Sequence, residues 1–310
     1  MKMLFLTPAL FLPLLLTPAA TLAAENRGRT RRQADRRRIR AAPRTPPGSQ
    51  GRPDGRHEHS MTMKMSTAMN MADRKMPAVK SPPIAMKMDI KIDSVDAAGD
   101  IHYTARFTEA GVSTDDPAQA AMASIINQSL AGLKDMTITA AVSNQGHIRS
   151  ATTSGLDKLS PAMKQQMGGI ENQLGQMSAP LPDEAVGVGG SWEVTQHMTM
   201  NGLEIDQVCV YEIAAITGSR VDLKISLKQS APEQAMKNEA LPPGTTLKVL
   251  KLASTGEGTA TFDLTRVASA ASQTRVHSVT DMEVNAGGRR QVMSTDMNMD
   301  MDMRSEPAKP

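Results

Sequence analysis

The stretch MTMKMSTAMNM (Met61–Met71) places a methionine at almost every second position. A second stretch, MSTDMNMDMDM (Met293–Met303), repeats this alternation near the other end of the chain. Side chains two residues apart on a strand share one face of a sheet, so the alternation is typical of a half-buried β-strand. The shared segment MST(A/D)MNM, which differs only between Ala68 and Asp296, is too short to establish a duplication. We therefore predict two strands, each with a methionine face.

The same alternation continues between these two stretches. It covers Met86–Ile92 and Ile101–Phe107, and it returns in a long series of segments after Trp192. Short turn signals such as Asn201–Gly202 join many of these segments, and short connections require antiparallel pairing. A sheet of about ten strands usually curls or closes. The sequence thus predicts a mainly β (α+β) fold with a large curved antiparallel sheet or open barrel of about 10–11 strands.

Two segments follow a helical period instead. Asp115 and Asp116 can cap the first segment, and Pro117 suits its first turn. Apolar residues then recur at helical spacing, at Met122, Ile125, Ile126, Leu130 and Leu133. The second segment begins at Ser160–Pro161 and has the same pattern at Met163, Met167, Ile170, Leu174 and Met177. We predict two amphipathic helices packed on the concave face of the sheet.

The first 24 residues resemble a secretory signal peptide. Lys2 precedes an apolar run, Leu4–Leu16, and small residues follow before Glu25. We predict cleavage near Ala23 or Ala24 and a periplasmic or extracellular location, with a retained anchor as the alternative. Cys209 is the only cysteine, so secretion brings no intrachain disulfide here.

The charge is distributed unevenly along the chain. Residues 25–56 contain eleven arginines and three acidic residues, whereas residues 57–310 contain 23 basic and 29 acidic residues. The Arg- and Pro-rich segment cannot bury enough apolar surface to order itself, so we predict a disordered basic arm at 25–56. One β-rich domain follows at 57–304, with a disordered tail at 305–310. The arm could contact an anionic membrane surface or an acidic polymer, or serve as a solvated spacer. Nucleic acid is not indicated as a partner, because the arm contains no aromatic residue and the sequence shows no nucleic-acid-binding fold.

No enzyme motif stands out. The sequence has no G-x-S-x-G, no phosphate loop and no H-E-x-x-H. Cys209 lies among apolar residues of a predicted strand, where a buried inert thiol is expected. His102, His147, His197 and His277 are scattered, which is typical of surface strand residues rather than a metal site. We predict a non-enzymatic protein.

The methionines offer three interpretations. In the first, they line a concavity that holds an apolar ligand such as a lipid, because methionine repacks easily around different shapes. The residues of this predicted lining are Met61, Met63, Met65, Met69, Met71, Met86, Met88, Met163, Met167, Met297, Met299 and Met301. In the second, the row His57, His59, Met61, Met63 and Met65 binds copper, because thioether sulfur is soft and selects Cu(I). In the third, the sheet is fully packed and holds no ligand.

The layout of the chain resembles a known but uncharacterised family. The segment PLPDEAVGVGGSWEV (Pro180–Val194), the segment STGEGTATFDL (Ser254–Leu264) and the alternating last strand are similar to those of the secreted bacterial family with domain of unknown function 6263. The resemblance implies a family fold over most of His57–Glu306 and no assigned activity. A strand-rich arc with helices inside is also similar to periplasmic lipoprotein carriers, by architectural analogy alone.

Overall fold

Strands dominate the structure of the chain. A computed structural model describes residues 38–39, 55–71, 74–143, 148–159, 182, 185–200, 203–236, 245–264, 269–286 and 288–308. The strands are β1 (Arg38–Ile39), β2 (Arg56–Met71), β3 (Arg74–Lys75), β4 (Val79–Lys80), β5 (Ile84–Val95), β6 (Ile101–Val112), β7 (Thr137–Val142), β8 (Ile148–Ser154), β9 (Val186–Gly187), β10 (Ser191–Met200), β11 (Leu203–Thr217), β12 (Arg220–Ala231), β13 (Gln234–Met236), β14 (Thr245–Asp263), β15 (Ala271–Ala286) and β16 (Arg289–Pro307). The helix is α1 (Ala120–Leu130), with 3₁₀ turns at Pro117–Gln119 and Ala131–Asp135.

Fourteen strands form one large sheet, and all of its pairs are antiparallel. Eleven of them follow the order β10-β11-β12-β14-β15-β16-β2-β5-β6-β7-β8, while β3, β4 and β13 are short additions to it. The described part of the sheet is open, with β10 and β8 at its two edges. The predicted mainly β fold with a large antiparallel sheet is confirmed.

The first long strand pairs with the last. β2 and β16 are in register from Met71–Met293 to His57–Pro307, so the two methionine stretches lie side by side. Every other neighbouring pair in the eleven-strand order joins strands that are consecutive in sequence or separated only by a short addition. The β2–β16 pair therefore joins the N-terminal strands β2, β5, β6, β7 and β8 to the C-terminal meander β10–β16.

The sheet has one buried face and one exposed face. Alternation along β16 buries Met293, Thr295, Met297, Met299, Met301 and Met303, and leaves the intervening residues half-buried or exposed. Buried residues form three apolar clusters, which we name by one member each: the Met63 cluster beside α1, the Trp192 cluster at β10–β14, and the Leu247 cluster at β10–β16. Methionine supplies the apolar volume that aromatic residues, only 2% of the chain, do not.

A row of polar side chains crosses the buried face. Gln196, Gln207, Gln229, Ser254 and Ser278 are cross-strand neighbours on five successive strands, and all are buried. The Nε2 of Gln207 donates to the Oε1 of Gln196 over 2.8 Å, and the Nε2 of Gln229 donates to the Oε1 of Gln207 over 2.6 Å. The Ser254 hydroxyl donates to the Ser278 hydroxyl over 2.8 Å. This polar ladder separates the Trp192 cluster from the Leu247 cluster.

The first predicted helix is confirmed. The Asp116 carboxylate accepts a hydrogen bond from the Ala118 amide over 2.9 Å, and Pro117 follows it as expected. Leu130 and Leu133 are buried against the sheet, whereas Ile125, expected on the same face, is exposed. The described residues contain this one helix. The second predicted helix, with Met163 and Met167, lies outside the described residues.

Two segments differ from the sequence-based expectations. Residues 305–307, predicted to be a disordered tail, form the end of β16 because they pair with His57–His59. Arg38–Ile39, within the predicted disordered arm, pairs as β1 with Val186–Gly187.

Candidate functional site

Methionines of three adjacent strands meet on the buried face. Met61 lies opposite Met303 on β16 and opposite Met86 on β5. Met63 faces Met301, Met65 faces Met299, and Met71 faces Met293 along the same two strands. We call this set the methionine seam: Met61, Met63, Met65, Met69 and Met71 of β2, Met293, Met297, Met299, Met301 and Met303 of β16, and Met86 and Met88 of β5. Ten predicted lining residues thus lie on one continuous surface; Met163 and Met167 lie outside the described residues.

The two long strands of the methionine seam are buried to different extents. The β16 methionines are all buried, whereas Met61, Met65, Met69 and Met71 of β2 remain half-buried. Strand order explains the half-burial of Met65, Met69 and Met71. β5 pairs with β2 only from Arg56 to Met63, and the rest of β2 is flanked by the two-residue strands β3 and β4.

Where β2 is flanked by the short strands β3 and β4, an apolar strip of its surface is partly exposed to solvent. Val79 of β4 pairs with Thr67 on the methionine face of β2, and 52% of Val79 is exposed. The chain between β3 and β5 is held to β2 by backbone bonds from Met76 to Met69 (2.9 Å) and from Ser81 to Met65 (3.0 Å). We define the β2 strip as Met65, Met69, Met71 and Val79. Met65 contacts the Met63 cluster, while Met69 and Met71 contact the Leu247 cluster.

Charged groups lie on the opposite face of the same strands. Asp296, Asp300 and Asp302 alternate with the β16 methionines, as the spacing predicts. Arg275 Nε donates to Asp300 Oδ1 over 2.8 Å, and this carboxylate raises the pKa of Arg275. Gln273 Nε2 donates to Asp302 Oδ2 over 2.7 Å. The methionine face therefore receives no carboxylate from β16.

The five residues of the predicted copper row share one face of β2, as the sequence spacing predicts. His57, His59, Met61, Met63 and Met65 all project from the methionine face of β2. His59 is buried, with the Ser305 hydroxyl 3.4 Å from its Nε2, and its other cross-strand neighbour is Met88. Met86 and Met303 on the neighbouring strands lie closer to Met61 than Met63 does on the same strand, because neighbouring strands lie about 4.8 Å apart and alternate residues of one strand about 6.8 Å apart.

The other described histidines are on the surface. His102 and His277 each contact one aspartate, Asp96 and Asp296, at 3.3 and 3.1 Å. His197 contacts Asp206 through Nδ1 and Glu204 through Nε2, both at 2.8 Å. The hydrogen bond that the Asp206 carboxylate accepts is the main cause of the raised pKa of His197. Because the carboxylates contact opposite ring nitrogens, the three groups do not converge on one point. Within the described residues, no three His, Cys, Asp or Glu side chains are placed to hold a metal ion.

Cys209 belongs to the Trp192 cluster. Burial raises the pKa of its thiol to about 11, and burial also raises the pKa of the neighbouring Tyr211. The Tyr211 ring stacks on Trp192 with centroids 5.2 Å apart. A thiol that stays protonated at neutral pH is a poor nucleophile. Cys209 is therefore a packing residue, as expected.

Sequence reasoning missed three parts of this site. The pairing of β2 with β16, the exposure of Val79 and the polar ladder all depend on which strands are neighbours. The alternation of Gln196 with apolar residues on β10, and of Gln207 and Gln229 on β11 and β12, was the only signal of the polar ladder, since it places amides on faces that are otherwise apolar.

The fold and the site define a protein with one large antiparallel sheet and a methionine-lined face. The chain belongs to the family of unknown function DUF6263, whose model matches residues 85–266. The match covers Ala85 to the end of β14, so β2, β15 and β16 lie outside it. No curated protein matches the sequence. Among the described residues, no helix has the length and apolar character needed to cross a membrane.

Three solved structures have weak similarity to the chain. One is described as "Asymmetric conductivity of engineered proteins", with 6% identity, TM-score 0.17, and coverage of 79% of this chain and 99% of that chain. The second is OccK8 (OprE) of Pseudomonas aeruginosa, with 5% identity, TM-score 0.16, and coverage of 82% and 98%. The third is OccAB4 of Acinetobacter baumannii, with 7% identity, TM-score 0.13, and coverage of 82% and 100%. At these scores the similarity supports no statement about fold or function.

Proposed function

We propose that this chain is a secreted, non-enzymatic binding protein that holds an apolar ligand, such as the acyl chain of a lipid, along the β2 strip. The observation that carries the proposal is the half-burial of Met65, Met69 and Met71 beside partners on β16 that are buried. A methionine that is packed on one side and open on the other offers apolar surface to a further molecule. Exposed Val79 extends that surface across the neighbouring strand.

Methionine suits such a role because of its shape. Its unbranched side chain has three rotatable bonds and a polarizable sulfur, so it can repack around acyl chains of different length and unsaturation. The β2 strip also touches two apolar clusters, so a chain laid along it would extend one continuous apolar surface. Burial of apolar surface stabilises such a complex by about 25 cal/mol per Å² before the costs of binding.

Secretion and the basic arm complete the proposal. The signal-peptide-like residues 1–24 support export of the protein. The arginines of residues 25–56 would bring the mature protein to an anionic membrane surface, where lipid is available. The protein would then need no catalytic residue, because carriage of a ligand requires only binding and release.

Native mass spectrometry of protein purified without detergent tests the proposal. We expect a co-purifying lipid, or uptake of palmitate by protein that has been stripped of lipid. The triple variant Met65→Gln, Met69→Gln, Met71→Gln keeps similar side-chain length but makes the β2 strip polar, so it should lose the ligand. Met88→Gln is the matched control, because Met88 is also half-buried but lies outside the β2 strip.

Two results would contradict the proposal. The first is wild-type protein that carries no lipid and takes up no palmitate. The second is equal palmitate uptake by the wild type and the triple variant. Either result would favour the interpretation in which the sheet is packed and holds no apolar ligand.

A further inference from the structure

The half of the methionine seam beside β5 has a different composition from the β2 strip. Met303, Met61 and Met86 form one cross-strand row on three adjacent strands. His59 and Met63 lie two residues before and two residues after Met61 on the same face of β2. His59 pairs with Met88 on β5, and Met63 pairs with Met301 on β16. Met61 is therefore surrounded by five methionines and one histidine.

We propose that this patch is a binding site for a soft monovalent cation, Cu(I) or Ag(I), with Met61, Met86 and Met303 as thioether ligands and His59 as a nitrogen ligand. Directly opposite residues in an antiparallel pair have Cβ atoms about 4.5–5.5 Å apart. Three flexible side chains in one row can bring their sulfur atoms to a common point at that spacing. The proposed set differs from a single-strand row because β16 and β5 each supply a ligand.

The chemistry of the patch selects the ion. Thioether and imidazole are ligands of soft and borderline metals, while Ca²⁺ and Mg²⁺ require oxygen ligands. The nearby carboxylates of Asp300 and Asp302 lie on the other face of β16, where Arg275 and Gln273 contact them. A patch that offers sulfur and nitrogen ligands but no carboxylate stabilises a soft monovalent cation and binds a hard divalent cation only weakly.

Access and burial also suit an ion. Met86, Met303 and His59 are buried, which limits competition from water, whereas Met61 and Met88 are half-buried and border the solvent. An ion could thus enter beside Met61 and Met88 without unpairing any strand. This site is independent of the β2 strip, which lies along the other half of β2.

Titration of the full-length secreted protein with Ag(I), a redox-stable probe for Cu(I), tests the site. Native mass spectrometry should show a single Ag(I) bound by the wild type, and competition with bicinchoninate under anaerobic reducing conditions should show the same for Cu(I). The variant Met61→Leu, Met86→Leu, Met303→Leu replaces sulfur with a hydrocarbon of similar volume, so it should fold and lose the ion. The matched control Met69→Leu, Met71→Leu, Met293→Leu removes as many sulfurs from the other half of the methionine seam and should keep it.

Methionine methyl NMR covers the case in which the triple variant does not fold. In the wild type, Ag(I) should shift the ε-methyl signals of Met61, Met86 and Met303 and leave those of Met69 and Met71 unchanged. The proposal is overturned if the wild type binds no Ag(I), if the folded Met61–Met86–Met303 variant binds it as well as the wild type, or if the shifted signals belong to Met69 and Met71. Palmitate uptake is a separate readout, so failure of this site and failure of the β2 strip give different results.

Discussion

Met63 lies directly opposite Met301, although the two residues come from the first and last long strands of the sheet. Both side chains are buried, and Met63 is only 1% exposed. The two residues lie near the middle of the strand pair that joins the N-terminal strands to the C-terminal meander. The chain therefore cannot complete its sheet until both ends are present, and contacts this distant in sequence usually form slowly during folding.

The opposed pair Met65 and Met299 should respond unequally to truncation. Met299 is 2% exposed and Met65 is half-buried. We expect Met299→Ala to lower the free energy of unfolding by about 2–5 kcal/mol, because it leaves a cavity in the packed core. Met65→Ala should cost clearly less, since solvent already reaches part of that side chain. Urea denaturation of both variants checks this, and equal losses would show that the β2 strip is packed as tightly as β16.

The end of β16 should matter for stability. Ser305, Glu306 and Pro307 pair with His59, Glu58 and His57, so removal of residues 304–310 takes away part of the β2–β16 pair. A chain that stops after Met303 should therefore melt at a lower temperature than the full chain, with β2 unpaired from Arg56 to Ser60 on that side. A chain that stops after Ala308 is the control and should melt close to the full chain. Identical melting temperatures for all three would contradict the extended strand.

Removal of the central amide in the polar ladder should cost more than removal of a terminal one. Gln207 makes hydrogen bonds to both Gln196 and Gln229, whereas Gln229 bonds to Gln207 and its Oε1 has no hydrogen-bond partner among the described residues. Gln207→Leu removes two hydrogen bonds of the polar ladder and Gln229→Leu removes one, and each lost bond to a buried group costs about 1–3 kcal/mol. Chemical denaturation of both variants should give that order. The reverse order would mean that other groups satisfy the ladder.

Stability should fall at alkaline pH through Cys209. Burial raises the pKa of its thiol from 9.0 to about 11, so the folded protein keeps the proton while the unfolded chain releases it. The contribution of this group is present below pH 9 and is lost as pH rises to about 11, with a loss on the order of 2 kcal/mol. Thermal melts of the wild type and Cys209→Ala from pH 8 to pH 11 test this. The same pH slope in both proteins would exclude Cys209 as the cause.

A glycine in β14 should resist substitution. A Cβ atom at Gly258 would overlap the carbonyl oxygen of Gln273 on β15, which is backbone and cannot rotate away. Gly258→Ala should therefore destabilise the sheet by about 1–3 kcal/mol, as overpacking does elsewhere. Thr259→Ala, an exposed position next to it, should change stability by less than about 0.5 kcal/mol. Comparable effects at both positions in urea denaturation would contradict the close approach of β14 and β15.

The alternation of apolar residues was enough to predict most strands and the face shared by the methionines of β2 and of β16. It identified the strand at Met61–Met71, the last strand, and the capped helix after Asp116, because burial on one face fixes a local period of two or 3.6 residues. Period alone does not determine which strands are neighbours. That is why the pairing of β2 with β16 was not predicted, although the two strands share the segment MST(A/D)MNM.

The remaining differences have the same cause. Residues 305–307 have a polar composition and look like a tail, but β2 provides them with hydrogen-bonding partners. Ile125 fits the apolar period of its helix, yet 58% of it is exposed. The half-burial of Met65, Met69 and Met71 depends on where β5 stops pairing, at Met63, which no local pattern encodes.

Methionine ε-methyl NMR of lipid-free protein during titration with palmitate tests ligand binding on the β2 strip, because it follows each methionine separately. We expect the signals of Met65, Met69 and Met71 to shift and saturate together, while those of buried Met297 and Met299 change little. Saturating palmitate that leaves Met65, Met69 and Met71 unmoved would contradict an apolar binding site on the β2 strip.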